Sequence, residues 1–151
     1  MRASYMGHTD IARYLIERGA DVEAKEYDGM TALMFAAMNG NTATVEFFIE
    51  RGATINVKNK YGMTSLMLAA RGGHIVTIDC LIVGGADFNV KDENGRTAHM
   101  LAAQDGHTET VRHLIEKGVD VNVKDNYGLT ALLLAILNGH TATQDLLDGN
   151  D

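Results

Sequence analysis

A spacing of 33 residues governs this chain. Gly29, Gly62, Gly95 and Gly128 form one series, and Thr31, Thr64, Thr97 and Thr130 a second. Gly7, Gly40, Gly73, Gly106 and Gly139 form a third, and Gly19, Gly52, Gly85 and Gly118 a fourth. Four separate series recurring at one interval mean stacked supersecondary units, each completing its core only against its neighbours. Such stacks present long surfaces, so the period already favours binding over catalysis.

One period, from Gly29 to Gly62, shows what each unit contains. Thr31 precedes Leu33, Ala36 and Ala37, an apolar face at helical spacing with an N-cap residue ahead of it. Asn39-Gly40 ends that helix, since glycine takes the left-handed C′ conformation. A second helix buries Val45, Phe48 and Ile49 and stops at Arg51-Gly52. Residues 53–62 alternate Ile55 and Val57 with polar residues and turn at Tyr61-Gly62, which reads as a β-hairpin finger. The pairs Ala36-Ala37, Ala69-Ala70 and Ala102-Ala103 let neighbouring helices approach closely.

The bulk properties exclude several functions. A net charge of −7 disfavours nucleic acid and anionic membrane surfaces. No apolar run reaches the roughly 20 residues of a spanning helix, and the N-terminus lacks a signal-like pattern. The single cysteine, Cys80, rules out an internal disulfide and suits a cytoplasmic or nuclear setting.

The strings DGMTALMFAA, YGMTSLMLAA, NGRTAHMLAA and YGLTALLLAI, with VEFFIERGATINVK, IDCLIVGGADFNVK and VRHLIEKGVDVNVK, resemble the ankyrin repeat over essentially the whole chain. The resemblance implies an all-α repeat solenoid of helix-turn-helix units with protruding β-hairpin fingers. The units divide one domain, 1–151, into a partial repeat 1–24, full repeats 25–57, 58–90 and 91–123, and a capping repeat 124–151. The family's Thr-Pro-Leu-His start is altered. Ala32, Ser65, Ala98 and Ala131 stand at the proline positions, and Met34, Met67, Met100 and Leu133 at the histidine positions. Apolar fill is therefore expected where a polar ladder is usual.

Non-catalytic protein–protein binding through the concave face, built from finger tips and inner helices, is what membership implies. Carried over position by position, that face comprises Tyr27, Met30, Met38, Lys60, Tyr61, Met63, Arg71, Glu93, Asn94, Arg96, Gln104, Asp105, Tyr127, Leu129 and Leu137. Tyr27, Met30, Met38, Tyr61, Met63 and Leu129 are expected as an exposed apolar strip. Arg71 and Arg96 stand ready to grip a carboxylate. In an animal protein the resemblance also marks Asn122, in the string LIEKGVDVN, as a candidate for asparaginyl hydroxylation.

Other signals read as structural. Lys25, Lys58, Lys91 and Lys124 form a column, three of them followed by Glu26, Asp92 and Asp125, a self-neutralised ladder. His8, His74, His107 and His140 are spread one unit apart and cannot converge on a metal; they open the outer helices. His99 takes a slot that is leucine elsewhere and is expected to be buried and neutral. Cys80 reads as a partly buried structural thiol. No phosphate loop or nucleophile constellation emerges, so no enzyme, cofactor, metal or small-molecule substrate is expected.

The ends differ from the middle. Gln144 and Asp148 replace Val45 and Ile49, as a terminal cap requires. At the other end Ile11, Tyr14, Leu15 and Ile16 are left to solvent, suggesting a longer array or an edge that meets another molecule. The competing function is therefore a self-associating module that forms a homodimer through this N-terminal edge.

Overall fold

A computed structural model describes residues 1–149. Among them are ten helices: α1 (Arg2–Tyr5), α2 (Thr9–Glu17), α3 (Ala32–Met38), α4 (Thr42–Glu50), α5 (Ser65–Arg71), α6 (Ile75–Val83), α7 (Ala98–Gln104), α8 (Thr108–Glu116), α9 (Ala131–Leu137) and α10 (Thr141–Leu147). The odd-numbered helices pack side by side as an inner layer and the even-numbered ones as an outer layer. None is long and apolar enough to cross a membrane.

Each inner helix is bounded by its own residues. The Thr31, Thr64 and Thr130 hydroxyls accept from the backbone N–H three residues on, at 3.3–3.4 Å. At the far end of α3, Gly40 N–H donates to Ala37 and Asn41 N–H to Ala36, the paired Schellman closure, with Gly40 at φ 67°. The alanine pairs of α3, α5 and α7 are fully buried, and these inner helices pack directly against one another. Met34, Met67 and Met100 fill the slots beside them, also fully buried.

Successive units are joined by polar bridges as well. The Nε2 atoms of His74, His107 and His140 donate to the carbonyls of Met38, Arg71 and Gln104, at 3.2, 2.8 and 2.9 Å. Asn41 does the same with its side-chain amide to Ser4 and Tyr5. These histidines open the outer helices, as the spacing indicated, and their job is to tie each unit to the one before. Hydroxyl pairs Thr9–Thr44, Thr42–Thr77 and Thr108–Thr143, each 2.7 Å, link the outer helices.

The fingers depart from the expected β-hairpins. Among the described residues there is no strand, only one isolated bridge between Lys25 and Thr31. The reason lies in where the backbone groups go. Each tip is closed by a bond such as Asn59 N–H to Met63 O, and Asn59 Oδ1 accepts from both Tyr61 and Met63. Asp92 and Asp125 build the same turns. The next backbone bond runs sideways to the neighbouring finger: Lys60 to Asp28, Glu93 to Tyr61, Asn126 to Asn94. A two-stranded ladder within one finger never develops.

The lysine column is corrected likewise. Lys58 and Lys91 donate to the carbonyls of Lys91 and Lys124 in the following finger, at 2.9 and 3.1 Å. Asp92 and Asp125 are buried turn formers and do not neutralise the lysines before them.

At the last unit, α10 carries half-buried Gln144 and ends at half-buried Leu147, with Asp148 following. On α9, however, Leu133, Ile136 and Leu137 are exposed, so the polar character is confined to the outer helix. At the first unit Ile11, Tyr14 and Leu15 are exposed and Ile16 is half-buried.

Candidate functional site

The finger tips and the C-terminal ends of the inner helices lie along one side of the stack, and a cleft of 290 Å3 opens there. Tyr61 and Met63 from one finger, Glu93, Asn94 and Arg96 from the next, and Arg71 from the end of α5 line it with Asp92. Six of the residues expected at the binding face therefore converge. The seventh, Asp92, was missed because it stands after a lysine and reads as its counter-ion. Its signal was its register with Asn59 and Asp125, both turn formers.

Charge organises the cleft. The Asp92 carboxylate is almost fully buried; its Oδ1 accepts two backbone N–H groups, and its Oδ2 lies 2.8 Å from Arg96 Nη2 and 3.0 Å from Nε. Arg96 also donates to Gln104 at 2.8 Å. This guanidinium is committed to the protein itself, which corrects the expectation that it waits for a partner's carboxylate. Arg71 reaches Asp105 at 3.3 Å, an exposed pair that a ligand can exchange at little cost.

The apolar strip is also narrower than expected. Met30 and Met63 are buried, each 7% exposed, because the turn folds them under the tip against the inner helices. Asn59 Nδ2 even reaches the Met30 sulfur at 3.3 Å. Met38 and Leu129 are half-buried. What remains outside is aromatic: Tyr27, Tyr61 and Tyr127 at the tips, 97, 51 and 75% exposed. Lys60 lies 5.2 Å from the Tyr27 ring centre and 4.9 Å from that of Tyr61, and is paired with Asp28. The Asp28 carboxylate, then the Tyr61 hydroxyl, hold the Lys60 ammonium pKa above its ordinary value.

Tyr127 and Leu137 are exposed at the far end, apart from the cleft, and Leu137 ends α9. Asn122 lies in the loop after α8, exposed, its N–H donating to Asp120 at 2.9 Å. Its counterpart Asn56 is engaged, donating to Gly85 O and accepting from Asp87 N–H.

Elsewhere, His99 is buried with Nδ1 2.9 Å from the Thr97 hydroxyl and no partner for Nε2. Burial pushes its pKa down to about 4, slightly opposed by Asp120. Burial first, and then the Glu46 carboxylate, push the Cys80 thiol up, away from nucleophilic behaviour. Among the described residues no cluster of His, Cys, Asp and Glu is arranged to hold a metal.

No curated protein matches the sequence at a significant level. The family model for ankyrin repeats (three copies) matches residues 1–82 and again 66–151, so together the matches span the whole chain. With the two-layer helical stack, this establishes that the chain belongs to the ankyrin-repeat family.

Proposed function

We propose that this chain is a non-catalytic interaction module that takes a protein partner on its finger side. Ankyrin repeats generally mediate protein–protein interactions and are typically not enzymes. The observation that carries the reading is the cleft between the second and third fingers, with exposed Tyr61 on one wall and the exchangeable Arg71–Asp105 pair beside it. Tyrosine and arginine are the side chains that most often dominate binding energy. Tyr27 and Tyr127 extend the same aromatic row over other tips. A partner offering a carboxylate and an apolar side chain matches this surface.

An affinity pull-down with the wild-type chain and a Tyr61→Ala, Arg71→Ala double variant tests the reading. Proteins retained by the wild type are lost from the variant. Equal retention by both overturns it.

A second reading rests on exposed Ile11, Tyr14 and Leu15 along α2. Self-association through this edge gives a dimer by light scattering that Leu15→Asp dissolves, whereas finger-side binding leaves a monomer at every concentration.

A further inference from the structure

The outer helix α6 breaks the pattern of its own repeat. At four positions it departs from the other units. Ile75 replaces Thr9, Thr42, Thr108 and Thr141; Val76 stands where Asp10, Ala43, Glu109 and Ala142 stand. Val83 replaces Glu17, Glu50 and Glu116, and Gly84 replaces Arg18, Arg51 and Lys117. The two valines do not serve the core: Val76 and Val83 are 70 and 89% exposed. Ile75 also removes the hydroxyl that would pair with Thr110, so the threonine bridges skip this joint.

Three of the altered positions, Val76, Val83 and Gly84, line a trough of 590 Å3 between α4 and α6, on the outer layer rather than the finger side. That volume is within the range of roughly 300–1,000 Å3 typical of sites that enclose ligands. Its α6 wall is Val76, Cys80 and Val83, spaced i, i+4 and i+7; its α4 wall is Glu46, Ile49 and Glu50, spaced i, i+3 and i+4. Gly84 keeps the end open, for a Cβ there would stand 2.8 Å from Ile55 Cδ1 and 3.0 Å from Ile49 Cδ1.

The trough's electrostatics select its occupant. Glu46, Glu50 and Asp79 line it and no cation does. Asp79 is held by His113 and Lys117, both at 2.8 Å on the same oxygen, but Glu46 and Glu50 form no ion pair among the described residues. Two copies docking trough to trough would set like carboxylates against one another, and an anionic membrane would meet the same repulsion.

We infer that the α4–α6 trough is a second docking site, independent of the finger side, for an amphipathic helix of a partner protein whose apolar stripe is flanked by lysine or arginine. Helix-in-groove recognition reads apolar anchors at this spacing. The basic flanks pair with Glu46 and Glu50, and the stripe covers Val76, Cys80 and Val83.

Cys80 is the chain's sole cysteine, so its reaction with iodoacetamide reports on the trough alone. A phage-displayed library of random peptides is selected on the full chain and counter-selected on Val83→Glu, which restores the glutamate that three of the other four units carry there (Glu17, Glu50 and Glu116) and so keeps the fold. The peptides recovered are basic and amphipathic. At about ten times its Kd, such a peptide slows Cys80 alkylation about tenfold by mass action. The slowing disappears in Val83→Glu and persists in Tyr61→Ala, which separates this site from the finger side. Peptides lacking lysine and arginine, peptides that fail to protect Cys80, or protection that survives Val83→Glu overturn the inference. So does a wild-type dimer by light scattering that Val83→Glu dissolves.

Discussion

The Thr97 hydroxyl lies 2.9 Å from His99 Nδ1, and α7 is left without the side-chain cap that Thr31, Thr64 and Thr130 supply to their helices. One polar side chain thus disturbs two things: a helix end, and a buried ring whose Nε2 has no partner. Restoring the leucine of the other units removes both. His99→Leu is expected to stabilise the chain by about 1–3 kcal/mol at neutral pH, read from urea unfolding midpoints. A loss of stability would show that the Thr97 contact outweighs the orphaned nitrogen.

The same histidine makes stability depend on pH. Its folded pKa, about 4, lies below its unfolded value, 6.5, so the unfolded chain takes up the proton first. Stability is full above about pH 6.5 and falls as the pH drops toward 4, by on the order of 3 kcal/mol in total. The difference between wild type and His99→Leu, measured across that window, isolates the effect from the carboxylates. A difference that stays constant with pH contradicts it.

The two arginines of the cleft answer differently to truncation. Arg71→Ala breaks an exposed pair and costs under about 1 kcal/mol. Arg96→Ala strips the partner from the buried Asp92 carboxylate and costs about 2 kcal/mol. Thermal unfolding of both variants checks the order, and only Arg71→Ala is a clean probe of binding.

Gly40 and Gly52 both have positive φ, 67 and 80°, yet they are not equivalent. A Cβ on Gly40 would lie 2.6 Å from His74 Nδ1, while nothing lies within 4 Å of one on Gly52. Each alanine substitution pays the left-handed backbone strain of about 1–2 kcal/mol. Gly40→Ala is expected to cost about 1 kcal/mol more, because it also displaces the His74 bond to Met38. Equal costs in denaturant unfolding would mean the ring yields freely.

Cys80 reacts more slowly with iodoacetamide at pH 7.5 than a free thiol, since burial and Glu46 both disfavour the thiolate. Glu46→Gln removes the nearby negative charge and therefore speeds the reaction. A rate unchanged or slowed by that substitution, followed by mass spectrometry, counts against the electrostatic part.

What recurs in every unit could be read from its residues: the threonine caps of three inner helices, the glycine stops, the small alanine pairs, the place of the histidines at the outer helix starts. What depended on how turns and side chains fold back in three dimensions could not. Met30 and Met63 follow a turn glycine and look exposed, but the Asx turn at residue 59 and its kin tuck them beneath the tip. Arg96 looks free until Asp92 and Gln104 are placed around it. The fingers likewise pair within themselves only at the tip, as Asn59 N–H does with Met63 O, while the next backbone group pairs with the neighbouring finger. The α4–α6 trough needed both kinds of information, since its unusual residues stand in plain view but their convergence is spatial.

Each histidine bridge reaches back one unit and no further. Load applied along the axis is therefore shared only between adjoining members, as in a zip fastener. Tension on this chain should open it from an end, tooth after tooth, with the middle of the row still closed while the terminal links have already parted.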